Sequence, residues 1–154
     1  MFDIDQEAID MALGLLFYDK DRCDLALPYF ESVAEEVGSQ SDFFHMAIQF
    51  YKGNCAILDN DIEQAIVEFE AGINITDVRW NSLELPTNLA WAYIQIGNNE
   101  SAFELFEQLW EEMNSEDYPL PNAVVTYYQS RAQLYALTFD YIAAIEDIDT
   151  AINK

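Results

Sequence analysis

Few side chains in this sequence have the types and spacing that catalysis requires. His45 is the only histidine, and the sequence shows no nucleophile paired with a base and no glycine-rich phosphate loop. A lone histidine in a helical segment is far more often a packed or surface residue than a general base. We therefore expect no catalytic residue, no cofactor and no enzyme activity.

Metal-binding patterns are equally weak. Cys23 and Cys55 are 32 residues apart, form no CxxC pair, and are interpreted as reduced, small core residues. Gln64 occupies the position at which a calcium-binding loop needs glycine, so we expect no bound metal. Four acidic residues follow part of the spacing of a calcium-binding loop: Asp59, Asp61, Glu63 and Glu70.

The most pronounced feature of the composition is a formal charge of −23, from 29 acidic and 6 basic residues. This charge argues against nucleic-acid binding, which needs a basic surface, and against binding to anionic membranes. Four interpretations stay open: solubility, adaptation to salt, drift on a tolerant surface, or attraction of a basic partner.

The 51% hydrophobic content indicates a folded domain rather than a disordered acidic tail. No run approaches the roughly 18 apolar residues that span a bilayer. The first ten residues contain Asp3 and Asp5 and lack the basic region of a signal peptide. We therefore expect a cytoplasmic protein that makes no contact with membranes.

Residues 88–109 show how the elements are organised. Leu89, Ala90 and Tyr93 recur at helical spacing, a turn at Gly97 follows, and a second helical pattern continues beyond it. Small residues at Ala90 and Ala102 allow the two helices to approach closely. Such a hairpin cannot bury its apolar faces alone, so we expect it to recur.

The pattern recurs four times along the chain. A small residue is followed four positions later by a bulky apolar one in Ala26/Phe30, Ala65/Phe69, Ala102/Phe106 and Ala144/Ile148. Another small residue stands twelve positions before each pair, at Gly14, Gly53, Ala90 and Ala132. The sequence therefore predicts an all-α fold of eight helices in four hairpins.

These offsets resemble the tetratricopeptide repeat, or TPR, whose pattern is W-x2-L-G-x2-Y followed by A-x3-F in units of about 34 residues. The resemblance implies a right-handed α-solenoid in a single domain, residues 1–154, with repeats at about 4–38, 42–75, 82–113 and 122–153. Lys52 and Arg131 depart from the pattern, because they stand where leucine is expected, and Ile148 replaces phenylalanine. The best-matched positions are Leu89, Ala90, Tyr93, Ala102 and Phe106, followed by Leu13, Gly14, Phe17, Ala26 and Phe30.

The resemblance also implies a binding role, because this fold mainly supplies interaction surfaces. One helical stripe of the first helix of each hairpin should line a concave groove that binds a peptide or an amphipathic helix. The alternative is that tight closure of the array buries this stripe. The expected groove residues are Met11, Leu15, Tyr18, Phe50, Asn54, Ile57, Thr87, Trp91, Ile94, Gln129 and Gln133.

The predicted function is therefore that of an adaptor or chaperone, loosely similar to small acidic TPR secretion chaperones. The clamp that some family members use for heat-shock chaperones is not expected, because Met11, Leu15 and Ser130 stand where bases are needed. The alternative function is structural self-assembly, including a homodimer, through the last repeat. There Ile142, Ile145 and Ile152 are left exposed unless the preceding helix covers them.

Overall fold

A computed structural model describes residues 6–37, 42–75, 83–114 and 123–153 of the protein. These ranges contain eight α-helices and no strand. Each described range holds one pair of helices joined by a short turn, which we number hairpins 1 to 4. The helices are α1 Gln6–Tyr18, α2 Cys23–Val37, α3 Asp42–Leu58, α4 Ile62–Ile73, α5 Glu84–Gln95, α6 Asn99–Met113, α7 Ala123–Leu137 and α8 Tyr141–Ile152.

The predicted all-α fold of four TPR-like hairpins is confirmed. The expected repeat limits at residues 4, 38, 82 and 122 lie outside the described residues. The chain forms two compact units, Met1–Val78 and Arg79–Lys154, with two hairpins in each. A single continuous domain stays a prediction.

The four hairpin turns share one backbone geometry. In each turn the amide of the residue that precedes the second helix bonds back to a carbonyl five residues earlier, as Arg22 does to Phe17 at 3.0 Å. This is the Schellman arrangement, which needs a left-handed residue before the bonded amide. Only one turn uses glycine there. The left-handed residues are Asp21, Asn60, Gly97 and Phe139, with φ of 54°, 60°, 80° and 64°.

Side-chain caps begin the second helix in three hairpins. The Asp61 carboxylate accepts a hydrogen bond from the amide of Gln64 at 3.0 Å, and Asp140 does the same for Ala143 at 3.1 Å. Asn98 caps α6 equivalently. Asp61, one of the acids with calcium-loop spacing, is therefore used as a helix cap, which satisfies an otherwise unbonded backbone donor.

Close helix approach within each hairpin explains the small residues of the repeat. A Cβ added to Gly14 would lie 2.6 Å from the Phe30 ring, and one added to Gly53 would lie 2.3 Å from the Phe69 ring. Both rings are completely buried. The aromatic side chain of the second helix thus packs directly on the backbone of the first.

Each unit is completed when the first helix of its second hairpin packs on the hairpin before it. In unit 1, Ile48 of α3 joins a core cluster with Ala26, Phe30 and Val33 of α2. In unit 2, Tyr127 and Leu134 of α7 join the core of hairpin 3. A hairpin therefore buries its apolar face under a following helix rather than by itself.

The expectation that Cys23 and Cys55 are reduced is wrong. They form a disulfide, with Cα atoms 5.5 Å apart, that joins the start of α2 to α3. The sequence separation concealed this pairing, because the two residues meet only when α3 packs on hairpin 1. The disulfide therefore cross-links hairpin 1 to the helix that covers it.

Ion pairs explain the two departures from the repeat pattern. Arg131 of α7 forms two hydrogen bonds of 2.7 Å to the carboxylate of Asp147 in α8, and Lys52 of α3 lies 3.4 Å from Glu68 in α4. Both pairs join residues 16 positions apart in the sequence. The corresponding pairs in hairpins 1 and 3 are apolar: Leu13 with Tyr29 and Leu89 with Leu105. Hairpins 2 and 4 thus carry an ion pair at the positions where hairpins 1 and 3 carry leucine and tyrosine or two leucines.

Candidate interaction surface

The groove residues predicted in hairpin 1 have an internal packing role. Met11, Leu15 and Tyr18 are partly buried against the core cluster that α2 and α3 form. The Tyr18 ring lies 5.0 Å from the Tyr51 ring of α3. These side chains therefore pack within unit 1, because α3 covers their side of the hairpin. Only their exposed remainder is available to a partner.

The predicted residues of hairpin 2 are half-buried. The Phe50 ring lies 5.3 Å from that of Tyr51 and 6.5 Å from that of Phe69. Asn54 makes a side-chain hydrogen bond with Tyr18, whose pKa is raised above its ordinary value mainly by burial. Ile57 is half-buried near the end of α3. Contacts between the helices of unit 1 thus largely hold its predicted groove residues in place.

The predicted residues of hairpin 3 are also half-buried. The Thr87 hydroxyl donates a hydrogen bond of 2.6 Å to the carbonyl of Leu83, within its own helix. Ile94 packs against the core shared with α7, which gives it an internal role as well. Trp91 lies between them on the same helix and is partly exposed.

Hairpin 4 is different, because its predicted residues are exposed and line a groove. Gln129 and Gln133 of α7 lie on one side of this groove, and α8 forms the other. Its volume is about 590 Å³. We call this surface the hairpin-4 face. It is lined by Gln129, Ala132, Gln133, Ala136, Tyr141, Ala144, Ile145 and Ile148.

Exposed isoleucines continue along α8 beside this groove. Ile145 is 61% exposed, and Ile142 and Ile152 are each 75% exposed, so α7 does not cover them. Sequence reasoning singled out these three residues but missed Tyr141 and Ile148 as groove residues. The signal was available, since both residues fall on the helical stripe of Ile145 at offsets of four and three.

Among the described residues of hairpin 4, the charged side chains that form no ion pair are negative. Asp147 is 5% exposed and is neutralised by Arg131, whose pKa its hydrogen bonds raise above the ordinary value. The Arg131 guanidinium also lies 5.1 Å from the centre of the Tyr127 ring and donates a hydrogen bond to its hydroxyl. Glu146 and Asp149 of α8 are exposed. The accessible α8 carboxylates therefore favour a basic neighbour.

The fold defines a helical-repeat protein, and hairpin 4 carries an exposed apolar face. Residues 87–110 match the family model of the tetratricopeptide repeat. With this match in hairpin 3 and four hairpins of the same design, the protein is a TPR-like repeat array, and the resemblance based on Leu89, Ala90, Tyr93, Ala102 and Phe106 is confirmed. The family supports protein–protein interaction in general.

A comparison with curated proteins finds no match to this sequence. Within the described ranges, none of the helices combines the length and the apolar character needed to cross a membrane.

Proposed function

We propose that the protein is a non-enzymatic adaptor or chaperone that holds a peptide or an amphipathic helix of another protein. The observation that carries this proposal is the open apolar hairpin-4 face, where Ile145 and Ile148 are 61% and 42% exposed. Contiguous exposed apolar surface usually marks an interaction site. The partner is an extended or helical segment, because the groove is a trough between two helices.

The half-buried residues of the predicted groove are proposed as secondary contacts within their own units. Phe50, Asn54 and Ile57 belong to unit 1, and Thr87 and Trp91 belong to unit 2. Aromatic side chains such as Phe50 and Trp91 supply most of the contact area when a partner buries them. Their exposed edges support this secondary role.

Selection from a peptide library displayed on phage tests the proposed function. The full wild-type chain should enrich defined sequences, and Ile145→Asp should abolish most of that enrichment, because it places a charge in the groove. Trp91→Ala reports any contribution from hairpin 3. Val67→Asp is the matched control, since Val67 on α4 is 57% exposed and lies outside the groove. Absence of enrichment over an unfolded control protein would reject an interaction role.

The proposed partner is basic or amphipathic, as the charge of −23 favours. The cytoplasmic location stays a prediction. The Cys23–Cys55 disulfide favours an oxidising compartment instead, because such bonds are rare in a reducing cytosol.

Self-assembly is the second candidate, and the 75% exposure of Ile142 and Ile152 is the observation that favours it. A homodimer would bury these side chains against their copies. Sedimentation velocity over a hundredfold range of concentration would then show a dimer that Ile145→Asp converts to monomer. A wild-type chain that stays monomeric throughout would exclude this candidate.

A further inference from the structure

The other hairpins show what kind of element covers a surface like the hairpin-4 face. Position by position, Ile148 of hairpin 4 corresponds to Phe30 of hairpin 1 and to Phe106 of hairpin 3. Phe30 is completely buried and Phe106 is 1% exposed, whereas Ile148 is 42% exposed. Covering helices lie on hairpins 1 and 3, namely α3 and α7. Phe69 of hairpin 2 is also fully buried, where its ring packs on Gly53 of its own hairpin.

The two covering helices share a pattern of buried side chains. Ile48 and Cys55 of α3, and Tyr127 and Leu134 of α7, are each 1% exposed and are seven residues apart within their helix. Seven residues are about two helical turns, so each pair projects from one face. A covering helix therefore buries two side chains at this spacing, one of which in α3 is the disulfide-bonded Cys55.

Aromatic contacts add to this pattern. In hairpin 3 the Phe103 ring stacks on Tyr135 of α7 at 4.9 Å, and the Trp110 ring lies 5.0 Å from that of Tyr127. Ile145 and Ile152 hold the positions of Phe103 and Trp110 in hairpin 4. These two isoleucines occupy the same positions in their helix but are 61% and 75% exposed.

The negative charge of the protein distinguishes between a second copy of this chain and a basic helix as the occupant of the hairpin-4 face. A second copy of the chain would bring another 23 negative charges toward Glu146 and Asp149. Like charges oppose that approach, whereas Lys or Arg side chains on the edges of a helix would meet these carboxylates favourably. The observed charge thus favours a basic helix over a copy of this protein.

We propose that the hairpin-4 face binds, from a separate protein, a basic amphipathic helix of about four turns. Its apolar residues seven positions apart occupy the groove beside Ile145 and Ile148, and its basic residues face the α8 carboxylates. The helix takes the place that α7 holds on hairpin 3. This inference rests on the proposed interaction function and adds the chemical class of the partner.

A designed probe peptide tests the inference. It has 17 residues, the length of α3, with two leucines seven positions apart, a tyrosine three positions after the first, alanine elsewhere on that face and lysine on both flanks. A twin peptide carries glutamate in place of every lysine. Fluorescence anisotropy with the full wild-type chain should show saturable binding of the basic peptide and at least tenfold weaker binding of the acidic twin.

Variants distinguish binding in the groove from general attraction between opposite charges. Ile145→Asp and Ile148→Asp should each weaken binding of the basic peptide at least tenfold, although each adds a negative charge that would strengthen nonspecific attraction. Val67→Asp adds the same charge on α4 and should leave the affinity within about twofold of wild type. Circular dichroism of each variant establishes that the helices are intact.

Three results would overturn the inference. They are equal binding to wild type and Ile145→Asp, equal binding of the acidic twin, and a wild-type dimer that Ile145→Asp dissociates, which would make a second copy the occupant. If the probe fails while library selection still yields peptides that depend on Trp91, the inference fails and the proposed function stands.

Discussion

Asp147→Ala should lower the free energy of unfolding by about 3 kcal/mol, because it leaves a largely buried guanidinium without its partner. Asp147 accepts both hydrogen bonds that join Arg131 of α7 to α8, and the two side chains are 27% and 7% exposed. Among the described residues, Arg131 would keep the Tyr127 hydroxyl and the tyrosine rings around it. The midpoint of urea unfolding, followed by circular dichroism, measures the change.

A double variant tests whether stability requires the ion pair itself or only well-packed side chains at these two positions. Arg131→Leu combined with Asp147→Leu recreates the leucine pair of hairpin 3, Leu89 with Leu105. We expect its stability to lie within about 1 kcal/mol of wild type, because well-packed apolar residues can replace a buried ion pair. The losses in free energy of unfolding for Arg131→Leu alone and Asp147→Leu alone should therefore add up to far more than the loss for the double variant.

The exposed pair Arg22–Asp24 supplies the matched control. Its atoms also approach to 2.7 Å, but both side chains are more than half exposed. Asp24→Ala should leave the unfolding midpoint unchanged, since solvent screens such pairs. An Asp147→Ala midpoint no lower than that of Asp24→Ala would contradict a structural role for the buried pair.

Loss of the Cys23–Cys55 disulfide should lower the free energy of unfolding by about 3–4 kcal/mol, the value that chain entropy gives for a separation of 32 residues. The cross-link restricts the unfolded chain of unit 1 and ties α3 to hairpin 1. Urea unfolding with and without dithiothreitol measures the effect on the wild-type chain.

The double variant Cys23→Ala/Cys55→Ala is the control for this measurement. It should unfold at the lower midpoint of the reduced wild type and should not respond to dithiothreitol. Thiol titration of unfolded, unreduced wild type should detect no free thiol. Two titratable thiols, or identical midpoints with and without reductant, would show that the bond does not form or does not stabilise the fold.

The hairpins were predictable because each depends on local spacing. Small residues at Gly14 and Gly53 could be paired with the aromatic residues that need them, Phe30 and Phe69, from offsets alone. The match of residues 87–110 to the repeat family falls on the hairpin whose pattern was clearest. Local periodicity therefore sufficed for the helices and for the contacts between small and aromatic residues in hairpins 1 and 2.

Contacts between hairpins were not predictable in the same way. The disulfide, and the packing of Leu15 and Tyr18 under α3, depend on where a later helix settles on an earlier hairpin. They need three-dimensional neighbours that the spacing within a single repeat does not specify. The Arg131–Asp147 ion pair lies inside hairpin 4 and was also missed, because the repeat pattern places leucine rather than arginine at that position.

The exposed apolar surface of hairpin 4 was only partly predictable. Ile142, Ile145 and Ile152 stood out because they lie in the last predicted repeat, where a polar outer face is usual. The groove itself, with Tyr141 and Ile148, required the angle between α7 and α8. Candidate site residues on the other hairpins remain proposals.

Mapping the basic probe peptide by NMR on the isotopically labelled full chain shows which helices the peptide contacts. We expect the amide shifts on addition of the peptide to concentrate in α7 and α8, around Gln133, Ile145 and Ile148, and to disappear in Ile145→Asp. Shifts spread over the acidic surfaces of both units, or centred on α1 to α4, would show that the hairpin-4 face is not the binding surface.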